Sequence, residues 1–191
     1  MAADKRAAAR AIEDFLRALG RDPAREPDLR GTGERVADAF ADEFCEGYDV
    51  DVGALLAENV LPREATTPSL VIVRGIAVAT TCPHHLMPAL GTATVAFAPT
   101  RAIVGVGAVG RVVDAFARRL TLQERIGEEV TAALYRAIAP QWVACRLVLE
   151  HACMTARGER RHGARLETLA VEPGGEAVDL AAIRAAVGVG T

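Results

Sequence analysis

The stretch "ATTCPHHLMPAL", residues 79–90, sets Cys82 and His85 three apart, with His84 between them, in an apolar, proline-marked turn. Farther on, "LEHACM" holds His151 and Cys153 two apart on what reads as a strand, where residues i and i+2 share a face. A thiolate and an imidazole from one element plus a thiolate from another make a Cys₂His set. Three protein ligands with an open fourth position is the catalytic zinc arrangement, whereas structural zinc usually closes with four. The open position lets the metal lower the pKa of its water towards neutrality. His84 and His151 would stand beside the metal as acid–base candidates, because imidazole titrates near neutral pH. A plainer reading stays open: C-x-x-H is a common pairing, and Cys153 alone would be a small buried hydrophobe. Cys45 and Cys145 fall in that plainer class, and His162 reads as a solvated loop residue.

Other residues carry weaker signals. Thr121 and Glu124 in "LTLQERIGEEV" have T-x-x-E spacing, which serves either a capping box or a ligand contact. The glycine-rich "VGVGAVGRV" does not match the dinucleotide fingerprint with its strand and acidic partner. Arg111, Arg157, Arg160 and Arg161 could meet an anion or could form a solvated basic face.

Elements must position these groups. Ile12, Phe15, Leu16 and Leu19 recur at helical spacing over 5–19, before Gly20 and Pro23. A second helix is expected over 32–46, with Val36, Phe40 and Phe44 on one stripe and Gly47 as its C-terminal stop. The β-branched run "SLVIVRGIAVAT" and then "GTATVAFAP" read as strands. Residues 103–120 read as a short apolar segment feeding a helix, and Thr121 opens another helix to about Ala139. "WVACRLVLEHACM" and "ARLETLAV" read as third and fourth strands. Two strands, two helices and two strands predict an α+β fold, an antiparallel four-stranded sheet with two helices on one face. The organisation expected is an N-terminal helical region (1–64), a catalytic domain (65–175) and a C-terminal tail (176–191) ending frayed.

Composition narrows the functional classes. The chain has 191 residues, 51% of them hydrophobic, enough for one core, and few aromatics to fill it. A net charge of −3 gives no general attraction for nucleic acid or anionic membrane. The N-terminus lacks an apolar signal core, and no apolar run reaches the roughly 18 residues of a membrane span. The expectation is a soluble, cytoplasmic protein whose cysteines bind metal or lie buried.

The motifs in this order resemble GTP cyclohydrolase I, over roughly residues 30 to 160. "CPHHLMPALG" looks like the family's C-E-H-H-x-x-P segment. "IVGVGAVGRVVDAFARRLTLQERI" is similar to its I-G-L-S-K-x-x-R segment and following Q-x-Q-E-R-L. "HACMTARG" resembles H-x-C-x-x-x-R-G, and "GTGERVADAFADEFCEGYD" its T-P-x-R helix. The resemblance implies the tunnelling fold, in which pentamers close their sheets into a barrel and stack into a homodecamer. It implies Cys82, His85 and Cys153 as zinc ligands and His84 and His151 as proton-transfer residues. It implies Glu124 with Gln123 at the guanine edge, and Arg111, Arg157 and Arg35 as further substrate contacts. The implied reaction opens the purine imidazole ring at C8, releases formate and recloses the product as a pterin.

The chain departs from the family where the substrate's ribose and phosphates would sit. Gly107-Ala108 replaces Ser-Lys, Asp38 replaces a second lysine, and Pro83 replaces the Glu of C-E-H-H. The expectation is a divergent member that keeps purine-ring hydrolysis but takes a smaller or less phosphorylated guanine-type substrate than GTP. The alternatives are an ordinary GTP cyclohydrolase I making dihydroneopterin triphosphate, and a non-catalytic purine- or pterin-binding protein with structural zinc. A thioimide-forming reductase is a third, disfavoured because it would take a cysteine from the metal set.

Overall fold

The computed structural model describes residues 3–158, 160–173 and 179–189. In chain order the elements begin with helices α1 (Lys5–Ala18), α2 (Thr32–Ala39) and α3 (Val52–Ala57). Strands β1 (Val60–Pro62), β2 (Val71–Cys82), β3 (Met87–Ala98) and β4 (Ala102–Val104) follow. Helices α4 (Val106–Ala117) and α5 (Gln123–Ile138) precede β5 (Trp142–His151). The one-turn α6 (Ala152–Thr155), β6 (Leu166–Pro173) and α7 (Leu180–Val187) complete the chain. The main sheet is antiparallel in the order β2-β3-β5-β6, and β1 pairs with β4 in a small second sheet.

Side-chain alternation decides which face of the sheet meets which helix. Val95 and Phe97 of β3, with Val143, Leu147 and Leu149 of β5, point at Val109, Val112, Ile126, Val130 and Leu134 of α4 and α5. These residues form the main core, as expected for two helices on one face. The opposite face is partly covered as well: Ile183 and Val187 of α7 pack on Ala96 and Ala144, with Trp142 and Leu169 beside them. The tail therefore contributes a packed helix. Residues 174–178 and the expected frayed end at 190–191 lie outside the described residues.

Hairpin β2–β3 is long and closes close to the metal-ligand candidates. Its register shifts between Val73 and Ile76, where Gly75 takes φ +69°, the left-handed conformation that a bulge glycine supplies. The hairpin ends at the pair Cys82–Met87, and the Leu86 amide donates to the Cys82 carbonyl across the four-residue turn.

Two helix boundaries differ from the sequence expectation. The second helix is regular only to Ala39, becomes a π-turn over Phe40–Phe44, and ends in a 3₁₀ turn over Glu46–Asp49. Gly47 is not a left-handed stop. Its amide donates to the Arg118 carbonyl at 2.9 Å, and Arg119 Nε donates to the Gly47 carbonyl at 3.1 Å. A Cβ there would stand 2.4 Å from the Ala115 carbonyl oxygen and 2.7 Å from that of Arg118. These tertiary hydrogen bonds bend the chain, and only glycine allows the approach. Gly47→Ala is expected to destabilise the protein by about 1–3 kcal/mol, the usual cost of overpacking. A lower midpoint in urea with an unchanged m-value would bear this out.

At the N-terminus, α1 packs on α2 through Gly33, where a Cβ would stand 2.5 Å from the Ala9 carbonyl oxygen. Lys5 links the two, reaching Asp38 at 3.2 Å and Asp42 at 2.5 Å. The apolar stripe that starts in α1 is only partly covered: Ile12 and Leu16 are half-buried, while Phe15 and the C-cap Leu19 are exposed. Among the described residues no helix is long and apolar enough to cross a membrane.

Candidate metal centre

Three segments converge at one end of the sheet. The end of β2 delivers Cys82, the following turn delivers His84 and His85, and α6 delivers Cys153. One donor atom from each of Cys82, His85 and Cys153 lies within 4.8 Å of the other two. Metal–sulfur and metal–nitrogen bonds of about 2.3 and 2.0 Å in a tetrahedron put donors roughly 3.3–3.8 Å apart, so a small inward shift closes the set. Two thiols and an imidazole suit zinc among the common divalent ions. The residues fit a metal.

Cys153 reaches the site by a different route from the one its spacing suggested. His151 is the last residue of β5, but Cys153 lies in α6, where the Ala156 amide donates to the Ala152 carbonyl at 2.9 Å. The two-residue alternation of a strand therefore does not apply, and a helical turn aims Cys153 at Cys82. Burial pushes the Cys145 thiol up to about 12, which keeps it a protonated core residue. Burial also raises the Cys45 thiol.

His151 continues the core-facing row of β5 beyond Leu147 and Leu149, and so ends up buried beneath the start of α5. Its ring Nε2 lies 2.8 Å from Gln123 Oε1. Burial lowers its pKa from the ordinary imidazole value, and the nearby Glu124 carboxylate partly opposes that. The neutral imidazole is accordingly favoured near neutral pH. His84 is exposed on the turn, its ring edge-on to His85 with centroids 6.4 Å apart.

Helix α5 begins one turn from the metal set, and here the capping-box reading fails. Its N-cap is Leu122 with no side-chain cap bond, while the Thr121 amide donates to the Thr81 carbonyl of β2. Strand pairing draws Thr121 away from the cap position. The exposed Glu124 carboxylate is thus left available to a ligand in the first turn, where the helix dipole favours negative charge. Gln123 behaves otherwise. It is 1% exposed, and its amide hydrogen bonds run inward to Leu147, Leu166, Thr168 and His151.

The arginines divide. Arg157 Nη1 lies 2.9 Å from His85 Nε2, so it stands at the metal set. A guanidinium only donates, and a neutral imidazole with one nitrogen on a metal carries its proton on the other. That bond and metal ligation are therefore alternatives for His85. Arg111 instead lines a groove of about 390 Å³ with Glu46, Asp114 and Arg118, which includes none of the metal-set residues. Arg35 donates to the Arg30 carbonyl and to Thr32 Oγ1 at the start of its own helix. The chain thus gathers Cys82, His84, His85, Cys153, His151, Glu124 and Arg157 at one place, but not Arg111 or Arg35.

Strand register reveals neighbours that sequence spacing missed. Thr80, Ala89 and His151 stand side by side across β2, β3 and β5, and buried Thr80 Oγ1 has no hydrogen-bond partner among the described residues. Arg165, Glu150 and Thr155 line a cavity of about 450 Å³ that includes Ala152 of α6. For the Thr80–Ala89–His151 row the missing signal was strand pairing, since His151 lies 62 positions from Ala89 and 71 from Thr80.

Comparison with known proteins agrees with this geometry. The family model described as GTP cyclohydrolase I matches residues 8–180. GTP cyclohydrolase 1 of Leifsonia xyli subsp. xyli is 41% identical over 160 residues, covering 84% of this chain and 82% of that protein. GTP cyclohydrolase 1 of Leptospira biflexa serovar Patoc is 36% identical over 157 residues, 82% and 84% of the two chains. The crystal structure of the archaeosine synthase QueF-like in the apo form overlays with a TM-score of 0.46 at 20% identity, over 59% of this chain and all of that one. The four-stranded antiparallel sheet with α4 and α5 on one face is the tunnelling-fold arrangement expected above. By a match that runs through nearly its whole length, and with the Cys82–His85–Cys153 set intact, the chain belongs to the GTP cyclohydrolase I family of cyclic-amidine hydrolases.

Proposed function

We propose that this protein is a zinc-dependent cyclohydrolase that opens the imidazole ring of a guanine-type purine at C8, on a substrate smaller or less phosphorylated than GTP. The observation that carries the chemical part is the convergence of Cys82, His85 and Cys153 beside His151 and Glu124. Zinc held by the first three would supply Lewis acidity at its fourth position. Hydrolytic opening adds one water at C8 and breaks one C8–N bond to leave a formamide, and a second water breaks the other C8–N bond and releases formate; for each water the proton traffic is the same. One proton must leave the water and one must reach the departing nitrogen, and His151 and His84 are placed to move them. Glu124 accepts hydrogen bonds from the amino and N1–H donors of the guanine edge.

The substrate part rests on cations. The chain has a single lysine, Lys5, and Asp38 and Asp42 hold it at the N-terminus. Asp38 thus adds no free negative charge, but its position offers no cation either. Ala108, where the family has lysine, is buried in the core of α4, and at Gly107 a Cβ would meet nothing within 4 Å. A charge-assisted hydrogen bond is worth about 1.5–3 kcal/mol, so losing two weakens triphosphate binding by roughly 10²–10⁴-fold. With glycine in place of the family's serine, the opened pyrimidine is expected to accumulate rather than reclose.

The second reading is GTP itself as substrate, favoured by the names of the relatives, with Arg157 and Arg165 as the anion contacts. Incubating zinc-loaded protein with GTP, guanosine monophosphate, guanosine and guanine, following formate and product mass, separates the readings. Higher kcat/KM for a substrate with fewer phosphates than GTP is expected. Efficient conversion of GTP to dihydroneopterin triphosphate would establish the second reading, and neither formate nor any change of mass from any purine would leave only binding. Assembly into a decamer of two pentamers is part of the proposal. The edge strands β2 and β6 and the exposed Phe15 and Leu19 at the end of α1 are surfaces that association would cover.

A further inference from the structure

We propose that Gln123 is a positioning residue that fixes His151 as its Nε2–H tautomer and so presents Nδ1 to the substrate. The proposal rests on the proton-transfer role assigned to His151 above. Gln123 opens α5 and is buried beneath it. Its Nε2 donates to the carbonyl oxygens of Leu147 on β5 at 3.2 Å and of Leu166 on β6 at 3.0 Å. It also approaches Thr168 Oγ1 at 3.1 Å. The two carbonyls can only accept, so the amide has one permitted orientation. Flipping it would press Oε1 against two carbonyl oxygens, a repulsion that the observed orientation replaces with hydrogen bonds.

With the amide so held, Oε1 faces His151 Nε2 at 2.8 Å. An amide oxygen only accepts, so the proton of this hydrogen bond sits on Nε2. A neutral imidazole then has Nδ1 bare, the atom able to take a proton from water and return it to a ring nitrogen. The chain of constraint runs from the β5–β6 pair, where Leu147 stands opposite Thr168, through Gln123 to the tautomer of His151. Both amide hydrogens and the amide oxygen are spent within the protein. That is why a residue the resemblance places at the guanine edge acts here on the histidine instead.

The test uses the zinc-loaded full chain labelled with ¹⁵N-histidine and read by long-range ¹H–¹⁵N correlation. The chain has four histidines, so single substitutions suffice for assignment. His151 is expected to carry its proton on Nε2. Gln123→Met, similar in size but without the acceptor, is expected to bring in the Nδ1–H tautomer. It should lower kcat by about 10–100-fold, the usual effect of losing a group that orients an active imidazole, with KM and zinc content unchanged. A wild-type proton on Nδ1, an unchanged tautomer in Gln123→Met, or a rise in KM at constant kcat overturns the proposal. If Gln123→Met does not fold, the wild-type spectrum decides alone. Inertness towards every purine would sink the functional reading, while the tautomer spectrum still rules on Gln123.

Discussion

Cys153→Ala is expected to abolish metal binding and turnover together while leaving the fold intact. Cys153 sits on a one-turn helix and is only half-buried, so alanine opens no core cavity and suits the helical backbone. What it removes is one of three converging donors, and the other histidine of the turn that carries Cys82 and His85, His84, is not among the donor atoms that converge. A dithiol–imidazole site reduced to one thiol and one imidazole loses most of its affinity. The loss of kcat/KM should exceed the roughly 100-fold that follows when a group merely supporting a ligand is deleted. Elemental analysis for zinc, formate release and thermal melting of the metal-free protein provide the check. Full zinc content with full activity in this variant would end the assignment of the centre. Cys145→Ala is the matched control, since that thiol is buried in the core and stays protonated.

The second large effect separates two histidines that look alike in sequence. His84→Ala and His151→Ala are each expected to lower kcat by about 10²–10⁴-fold with zinc retained, the range of positioned acid–base groups. Their stabilities should differ. His84 is exposed on the turn, and its loss leaves no buried group unpaired. Removing His151 leaves Gln123 Oε1 buried without a donor, which costs about 1–3 kcal/mol. Denaturant titration of both variants beside single-turnover formate release reads the two quantities separately. Equal stability with unequal kcat would mean that the Gln123–His151 bond does not form in solution. Unchanged kcat in both variants would favour a binding protein over an enzyme.

Much of this protein is legible in its residues. The strand runs, the two central helices and the antiparallel α+β arrangement follow from periodicity, because alternating apolar positions leave few ways to bury one face. The metal set is legible too, since the motifs around Cys82, His85 and Cys153 resemble one family in order and the donor atoms do converge. Local chemistry misled where tertiary bonds were stronger. Thr121 has capping-box spacing, but pairing with Thr81 of β2 takes its amide and moves the cap to Leu122. Gly47 has the look of a helix stop, but it is where two helices' backbones meet. Asp38 stands where the family has a lysine, but Lys5, thirty-three residues earlier, pairs with it.

The sequence by itself determined which donors, acids and bases are present, because residue type sets what an atom can bind or give up. Only the tertiary structure decided what each is free to do. Gln123 and Glu124 are adjacent, yet one residue of helix rotation buries the first against two strands and leaves the second exposed to a ligand. Hydrogen bonds are exclusive and burial is directional, and neither can be read from a residue's name.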